Sequence, residues 1–228
     1  MRELVARFGL PAAAADRLTR LVDLVASDPH APTSVREPAR VWEDHVADSL
    51  VALEMPAVRE AGVVADLGSG AGFPGLVLAV ALPGARVFLV ESAARKCEFV
   101  ERAIAAADVA NAEVVCQRAE AWEAGRDACD LVTARALAAL PVVTEYAAPL
   151  LRLGGTLVAW KGRTDPAEAR DGAAAAAALG LAVVEVVPVT PYPGARHRHL
   201  HVMRKAAPTP PRFPRRPGVA ARRPLRAT

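Results

Sequence analysis

From residue 63 onward, short runs of apolar and β-branched residues alternate with longer alanine-rich stretches of helical periodicity. The runs that predict strands are 63–67, 85–91, 112–117, 130–135, 155–161, 181–189 and 199–204, the last expected at the far end of the sheet. The stretches that predict helices between them are 74–82, 93–107, 140–151 and 165–179. This alternation predicts an α/β fold, with a mostly parallel sheet covered by helices on both faces. Because such sheets bind ligands outside the carboxyl ends of their strands, the chemistry should lie just after a strand.

Sequence pattern and composition divide the chain into three predicted segments. Its 228 residues suffice for one substantial domain. Residues 11–26 and 39–54 predict helices, so we interpret residues 1–60 as an N-terminal helical segment packed on a core formed by residues 61–205. Residues 206–228 are rich in proline and arginine and offer little to bury, so we expect a basic, disordered tail.

Positive charge is concentrated at the C-terminal end. No acidic residue follows Glu185, whereas ten lysines and arginines do, although the net charge of the chain is only +3. Arginine and lysine neutralise phosphates, so this end favours contact with a polyanion. A solvated tail that only aids solubility is the alternative interpretation.

Cysteine usage and hydropathy indicate a compartment. Cys97, Cys116 and Cys129 are odd in number and lack a C-x-x-C spacing, so we expect no disulfide framework and no zinc knuckle. They are interpreted as small structural residues in a reducing environment. No run has the length and apolarity of a membrane span, and the N-terminus lacks the features of a signal peptide. We therefore expect a cytoplasmic protein with no membrane partner.

The stretch DLGSGAGFPG, residues 66–75, carries the first chemical signal. Its last three glycines, Gly70, Gly72 and Gly75, match the dinucleotide pattern G-x-G-x-x-G. In a dinucleotide site, however, the first glycine ends the strand, and here that residue is Gly68. Counted from Gly68, the third glycine is replaced by Phe73, which disfavours a nicotinamide-dependent oxidoreductase.

The same stretch resembles the first motif of class I S-adenosylmethionine-dependent methyltransferases. Glycines let the backbone approach the aminoacyl end of that cofactor, and Asp66 could organise its ammonium group directly or through water. The predicted cofactor contacts in this loop are Asp66, Gly68, Gly70, Gly72 and Phe73. A glycine turn that only permits close packing of strand and helix is the alternative.

Later strand ends supply further candidates. Glu91 ends the second predicted strand and could accept hydrogen bonds from both ribose hydroxyls, or could merely cap the next helix. After the third strand, Ala119 and Glu120 lie where an adenine edge would bind, although Glu120 could be a plain surface acid. Arg135 ends the fourth strand and could contact the cofactor carboxylate or a guanine O6, or form a structural ion pair.

The acceptor is predicted from what these strand ends lack. The fourth strand ends in Thr133-Ala134-Arg135 rather than in the Asn/Asp-Pro-Pro-aromatic turn used for amino-group methylation, and no cysteine is placed for covalent attack. A site without a general base or nucleophile suits an acceptor that is already nucleophilic. Guanine N7 has an in-plane lone pair and no proton to remove, so catalysis there reduces to positioning and desolvation, with Arg135 as the positioning residue.

Over most of its length the chain resembles the bacterial ribosomal RNA small-subunit methyltransferase G family, also called glucose-inhibited division protein B. The resemblance is carried by TSVREP with EDHVADSL, DLGSGAGFPGL, RAE, TARA, WKG, RHLHVMRK and FPRRPGVAARRPL. It implies a class I methyltransferase fold behind N-terminal helices, and methylation of guanosine N7 in the decoding-region hairpin of 16S rRNA. The chain departs from the usual family sequence at two places. Ala31-Pro32 replaces Asn-Leu before TSVR, and the motif TARA replaces the commoner motif SRA.

The resemblance also implies site residues. Gly68, Phe73, Ala119, Glu120 and Arg135 would contact the cofactor. Lys161 and Arg198 are candidates for RNA contact or active-site electrostatics, with a purely structural role as the alternative. The alternating histidines and the basic tail add His199, Arg212, Arg215 and Arg216 as candidates for RNA contact.

Histidines and one helical pair leave questions open. His45 and Asp48 lie one turn apart and could face the site or solvent. His197, His199 and His201 alternate, but no acid or cysteine joins them, so we expect no metal.

The partner implied by the resemblance is 16S rRNA, the small ribosomal subunit or its precursor, and we expect a monomer. The alternatives are a ribosome-assembly or RNA-binding factor with a vestigial cofactor pocket and, less favoured, a nicotinamide-dependent oxidoreductase.

Overall fold

The computed structural model describes residues 2–227, which form a seven-stranded sheet with helices on both faces. The strands are β1 (Val63–Leu67), β2 (Arg86–Glu91), β3 (Ala112–Cys116), β4 (Cys129–Arg135), β5 (Leu151–Lys161), β6 (Leu181–Pro188) and β7 (His199–Lys205). Their order is β3-β2-β1-β4-β5-β7-β6, and only β7 runs antiparallel to its neighbours. The predicted α/β fold is confirmed.

The last strand lies one place further inside the sheet than expected. We predicted it at the far end, but β7 pairs with β5 on one side and β6 on the other, so β6 is the edge strand. In this order His201, Val202 and Met203 of β7 are buried, whereas most of β6 is exposed. The edge strand β6 (LAVVEVVP) is nevertheless the more apolar of the two sequences, so composition does not predict which strand lies at the edge.

The helices pack in two layers. On one face lie α6 (Gly75–Ala81) and α7 (Ala94–Ala107), and α2 (Ala14–Ser27) packs against both. On the other face lie α8 (Leu140–Ala147) and α9 (Pro166–Leu179). Successive side chains of a strand point to opposite faces of the sheet. In β1, Val64 packs with the helices of the first layer and Ala65 with those of the second. The predicted helix 140–151 is too long, because β5 already begins at Leu151.

The N-terminal segment begins with α1 (Arg2–Phe8) and α2, and the predicted helix 39–54 is subdivided. It comprises α3 (Pro38–Val41), a π-helical stretch (Trp42–Ala47), α4 (Asp48–Leu50) and a 3₁₀ turn (Val51–Glu54), followed by α5 (Pro56–Arg59). Such π-helical stretches frequently occur at functional sites. The treatment of residues 1–60 as a distinct segment stays a prediction.

The C-terminal segment contradicts the expectation of a disordered tail. Residues 206–227 pack against α8 and α9, and Val219–Arg222 forms a short helix, α10. Phe213 and Ala220 are buried, and the Arg215 guanidinium pairs with the buried carboxylate of Glu145. Composition suggested disorder because these few anchors are separated by exposed prolines and arginines. The folded body supplies the partners that the segment lacks by itself.

The cysteines also differ from expectation. Cys97, in the first turn of α7, forms a disulfide with Cys116 at the end of β3, and their Cα atoms lie 5.8 Å apart. The fold explains the pairing, because α7 starts just after β2 and β3 is the neighbour of β2. Cys116 is exposed rather than buried. Cys129 is buried without a disulfide partner among residues 2–227, and burial raises the pKa of its thiol to about 12.

No helix in the described part of the chain has the length and apolarity needed to cross a membrane.

Candidate active site

The glycine loop after β1 turns through backbone conformations that side chains disfavour. Gly68, Gly70 and Gly72 have φ angles of +66°, +55° and +91°. At Gly68 an added Cβ would also lie 2.5 Å from Cδ1 of Leu137, which follows β4. Glycine at this position therefore lets the ends of β1 and β4 approach each other.

Asp66 lies beneath this loop and is fully buried. Its Oδ1 accepts a hydrogen bond from the Thr133 hydroxyl at 2.8 Å, and its Oδ2 accepts one from the Gly75 amide at 3.0 Å. Burial raises the pKa of the Asp66 carboxyl to about 7, although these hydrogen bonds oppose the shift. Asp66 thus ties β1 to β4 and α6 from below the loop, and its predicted role at a ligand stays a prediction.

A cavity of about 270 Å³ opens above the carboxyl ends of β1 to β4. Four of the predicted residues line it: Gly68, Glu91, Ala119 and Glu120. The wall of this cavity does not include Gly70, Gly72 or Phe73. These residues continue the loop toward His45, whose ring stacks on that of Phe73 with 4.6 Å between the ring centroids. Leu137 and Tyr146 add apolar surface opposite the acids.

The Glu91 carboxylate is held in place but retains acceptor capacity. Its Oε1 accepts hydrogen bonds from the Ser92 and Ala93 amides at 2.8 and 3.0 Å, while Oε2 accepts one from the Gly70 amide at 3.3 Å. The alternative that Glu91 only caps α7 is not supported, because the Ser92 and Ala93 amides precede the helix at Ala94 and the buried carboxylate lines the cavity. A carboxylate offers about four acceptor sites, so an oxygen remains open to a hydroxyl.

Glu120 connects the cavity with the C-terminal segment. Its Oε1 accepts a hydrogen bond from the Gly218 amide at 2.9 Å. Glu120 is buried, so it is not a plain surface acid. The segment after residue 206 thus forms part of the support behind the cavity wall.

A second cavity, of about 370 Å³, adjoins the first and shares Ala136 with it. It lies at the carboxyl ends of β4 and β5, where Arg135 and Lys161 end these strands. The N-terminal segment supplies its other wall, so residues almost a hundred positions apart meet here. The lining comprises Asp44, His45, Asp48, Arg135, Ala136, Trp160, Lys161, Gly162 and Arg198.

Arg135 is the centre of this second cavity. Its Nη1 donates to Asp48 Oδ2 at 2.9 Å and to the Asp44 carbonyl at 2.8 Å. Its Nη2 lies 3.0 Å from His45 Nδ1, and the guanidinium sits 5.7 Å from the centroid of the Phe73 ring. The buried ion pair with Asp48 fixes the plane of Arg135 beside the glycine loop.

His45 is a neutral link in the same network. Burial and the neighbouring Arg135 charge lower the pKa of His45 to about 4. A neutral ring can accept from Arg135 at Nδ1 while Nε2–H donates to the Thr33 hydroxyl at 2.9 Å. Both His45 and Asp48 thus face the site. Their one-turn spacing was the sequence signal, but it left the direction of that face open.

Comparison with known proteins decides the family. The family model described as rRNA small subunit methyltransferase G matches residues 17–200. The chain belongs to this family. The ribosomal RNA small subunit methyltransferase G of Rubrobacter xylanophilus is 46% identical over 197 residues, covering 84% of this chain and 76% of the relative. The protein of that name from Chloroflexus aggregans is 41% identical over 196 residues, with coverages of 85% and 82%.

Solved structures place the fold in the same enzyme class. Protein Atu636 of Agrobacterium tumefaciens, a predicted O-methyltransferase, superimposes with a TM-score of 0.55 at 25% identity, over 71% of this chain and 80% of that chain. The predicted class I methyltransferase and its cofactor, S-adenosylmethionine, are confirmed. The nicotinamide-dependent alternative is set aside.

The residues of the first cavity fit this cofactor. Glu91 can accept from the ribose hydroxyls, and the glycine loop leaves room for an aminoacyl end. The hydroxyl of Ser69, within that loop, is buried and has no hydrogen-bond partner among the described residues. A buried polar group without a partner is costly, so the loop is better satisfied by a polar ligand.

The predicted RNA residues of this methyltransferase divide into two groups. Lys161 and Arg198 line the second cavity, where Lys161 donates to the Ala138 carbonyl at 2.8 Å and pairs with Glu168 at 2.5 Å. His199 lies beside them, 2.8 Å from the Gly162 carbonyl. The other three lie on the C-terminal segment: Arg212 and Arg216 are exposed, whereas Arg215 is occupied by Glu145.

Two further observations delimit the site. Within residues 2–227 no group of three or more histidines, cysteines or acids could hold a metal ion. A larger cavity, of about 600 Å³, lies between the N-terminal segment and strands β6 and β7. It is lined by residues at the amino ends of β4 and β5, such as Asp130 and Arg152, away from the edge where such sheets bind ligands.

Proposed function

We propose that the protein transfers the methyl group of S-adenosylmethionine to N7 of a guanosine in the decoding-region hairpin of 16S rRNA. The observation that carries this proposal is the pair of adjoining cavities at the carboxyl ends of β1 to β5, which meet at Ala136. One fits the cofactor and the other is open for a base. The names of the relatives support rRNA of the small subunit as the substrate.

The second cavity suits an acceptor that needs no deprotonation. S-adenosylmethionine, when bound, supplies an electrophilic methyl group. The Asp48 carboxylate is engaged by Arg135, and both ring nitrogens of His45 are engaged by Arg135 and Thr33. These contacts fix the positions of the three side chains, and transfer to N7 requires no general base from any of them. Alignment of guanine N7 and exclusion of water suffice, since N7 carries no proton.

Affinity for RNA is proposed to come from the ordered C-terminal segment. Its exposed arginines lie on one continuous stretch that packs against α8 and α9: Arg212, Arg216, Arg222, Arg223 and Arg226. Ordered guanidinium groups bind phosphates in fixed positions without reading sequence. The target base is displaced from stacking so that it reaches the cavity. The enzyme is proposed to act as a cytoplasmic monomer on the small subunit or its precursor.

The test is methyl transfer from labelled S-adenosylmethionine to small subunits, and to free 16S rRNA, from a strain that lacks this modification. The product is mapped by strand cleavage specific for N7-methylated guanosine. We expect one cleavage, in the decoding-region hairpin. Label at another position or atom would overturn the target assignment and keep the enzyme class. Absence of label, with cofactor binding intact, would favour a ribosome-assembly factor with a vestigial pocket.

A further inference from the structure

Asp48 holds a carboxylate oxygen that the folded chain leaves without a hydrogen bond. The residue is 4% exposed and lines the second cavity. Its Oδ2 is satisfied by Arg135, but Oδ1 is buried and has no hydrogen-bond partner among residues 2–227. Charged acceptors buried in this way are costly and rare, so the site is better satisfied by a donor from outside the chain.

Arg198 covers this oxygen without a hydrogen bond to it. Its Nε lies 3.4 Å from Asp48 Oδ1, and its Nη2 lies 3.7 Å from Asp44 Oδ1. The side chain is 34% exposed, and its hydrogen bond from Nη1 to the Arg196 carbonyl is long at 3.4 Å. Arg198 is therefore held at the mouth of the cavity only by long contacts, which a ligand that donates to Asp48 would replace.

The chemistry that completes Asp48 is a pair of adjacent N–H donors. Guanine presents such a pair, N1–H and the N2 amino group, on its Watson–Crick edge, whereas its N7 and O6 are acceptors. Adenine has an acceptor at N1 and no N2 amino group. A carboxylate placed against that edge selects guanine and leaves N7 free on the opposite side of the base.

We propose that Asp48 is the guanine-specificity residue, and that its Oδ1 accepts from N1–H and the N2 amino group in place of the contact with Arg198. The displaced guanidinium is then free for the RNA backbone. This assignment rests on the proposed function, because it presupposes a guanine in the second cavity.

Inosine provides the test, since it keeps N7, O6 and N1–H and lacks only the N2 amino group. Small subunits are reconstituted from ligated 16S rRNA that carries guanosine or inosine at the mapped position. For the wild-type enzyme we expect a single-turnover rate on inosine about tenfold or more below that on guanosine, because inosine cannot donate the second hydrogen bond to a charged acceptor.

The Asp48→Asn variant should abolish this discrimination. The single amide oxygen of asparagine stays with Arg135, so the amide nitrogen takes the place of Oδ1 and opposes the guanine donors. The rate on guanosine should fall to nearly the rate on inosine. The control is Asp44→Asn in the same cavity, because the Asp44 carboxylate already accepts from Arg40 and Tyr192. This control should retain the wild-type ratio, and thermal unfolding of both variants verifies their fold.

Equal wild-type rates on guanosine and inosine would overturn the assignment, and so would an undiminished preference in Asp48→Asn. Both outcomes leave methylation of guanosine intact and the proposed function standing. Absence of methylation on guanosine-containing subunits, beside an active control methyltransferase, would instead overturn the proposed function and this assignment with it.

Discussion

At the scale of single residues, the site depends on groups that fix one another rather than on a reactive side chain. Arg135 is held by Asp48, by the Asp44 carbonyl and by His45, and His45 is held in turn by Thr33. The conformation of the glycine loop after β1 requires residues without side chains, because its glycines have positive φ angles. Positioning of this kind is sufficient for methyl transfer to an atom with a free lone pair.

Gly68→Ala should weaken S-adenosylmethionine binding by about tenfold or more, because the new Cβ meets Leu137 and the φ of +66° becomes strained. Calorimetric titration with the cofactor measures the effect. Gly84→Ala is the matched control, since a Cβ at Gly84 meets nothing within 4 Å and its φ is ordinary. Equal cofactor affinities in the two variants would show that the glycine loop does not contribute to S-adenosylmethionine binding.

Asp66→Asn should change how stability depends on pH. In the folded protein the Asp66 carboxyl keeps its proton up to about pH 7, whereas in the unfolded chain it releases the proton near its ordinary pKa of 3.8. The unfolded state therefore binds fewer protons between these values, and the contribution of Asp66 to stability falls as the pH rises. Relative to the variant, the wild type should lose up to about 3 kcal/mol of unfolding free energy between pH 4.5 and 7.5. Urea unfolding across this range measures the difference, and parallel profiles would contradict the raised pKa.

At the scale of elements, the C-terminal segment is held by one buried charge pair. Arg215 Nε donates to Glu145 Oε1 at 2.7 Å, and the Glu145 side chain is 1% exposed. Because Gly218 of the same segment bonds to Glu120, the segment also supports the cofactor cavity.

Arg215→Met should destabilise the protein by about 3–5 kcal/mol, because it leaves the Glu145 carboxylate buried without a cation. Arg216→Met, at the exposed neighbouring position, should change stability by less than about 0.5 kcal/mol. Denaturant unfolding compares the two. Similar losses of stability in both variants would show that the segment contributes through general charge.

Whether a contact could be predicted from the sequence depends on how far apart its two residues lie along the chain. The glycine loop and Glu91 were predictable, since each lies at the end of a strand that its own residues specify. The contact of Asp48 with Arg198 and that of Glu145 with Arg215 join distant positions, and no local pattern pairs them. For the same reason the sequence led us to a disordered tail and to unpaired Cys97 and Cys116. Composition reports what a segment can bury, but not what the rest of the fold offers it.

At the scale of the whole molecule, the two cavities and the exposed arginines of the C-terminal segment lie on different parts of the surface. The carboxyl edge of the sheet holds the cavities, and the C-terminal segment, which packs on the α8–α9 face, carries exposed arginines. The N-terminal segment supplies one wall of the second cavity. On the proposed function, we expect the exposed arginines to bind RNA phosphates.

Replacing Arg216 and Arg222 by glutamine should weaken RNA binding, because fewer phosphates are then neutralised. The slope of log K against log salt should fall by about 0.7–0.9 for each phosphate that no longer has an arginine partner. Cofactor affinity should not change. The matched control replaces Arg20 and Arg86, exposed arginines on α2 and at the amino end of β2.

Fluorescence anisotropy with a 16S rRNA fragment across a salt series gives the slope for each variant. If the control pair lowers the slope equally, RNA binding does not depend on the C-terminal segment.

The cofactor and the target base are proposed to occupy the two adjoining cavities that meet at Ala136. A crystal structure of the protein with S-adenosylhomocysteine tests this arrangement. We expect the ribose hydroxyls on Glu91, the adenine beside Ala119 and the sulfur directed toward the cavity of Arg135. A ligand bound instead in the larger cavity near Asp130 and Arg152 would refute it.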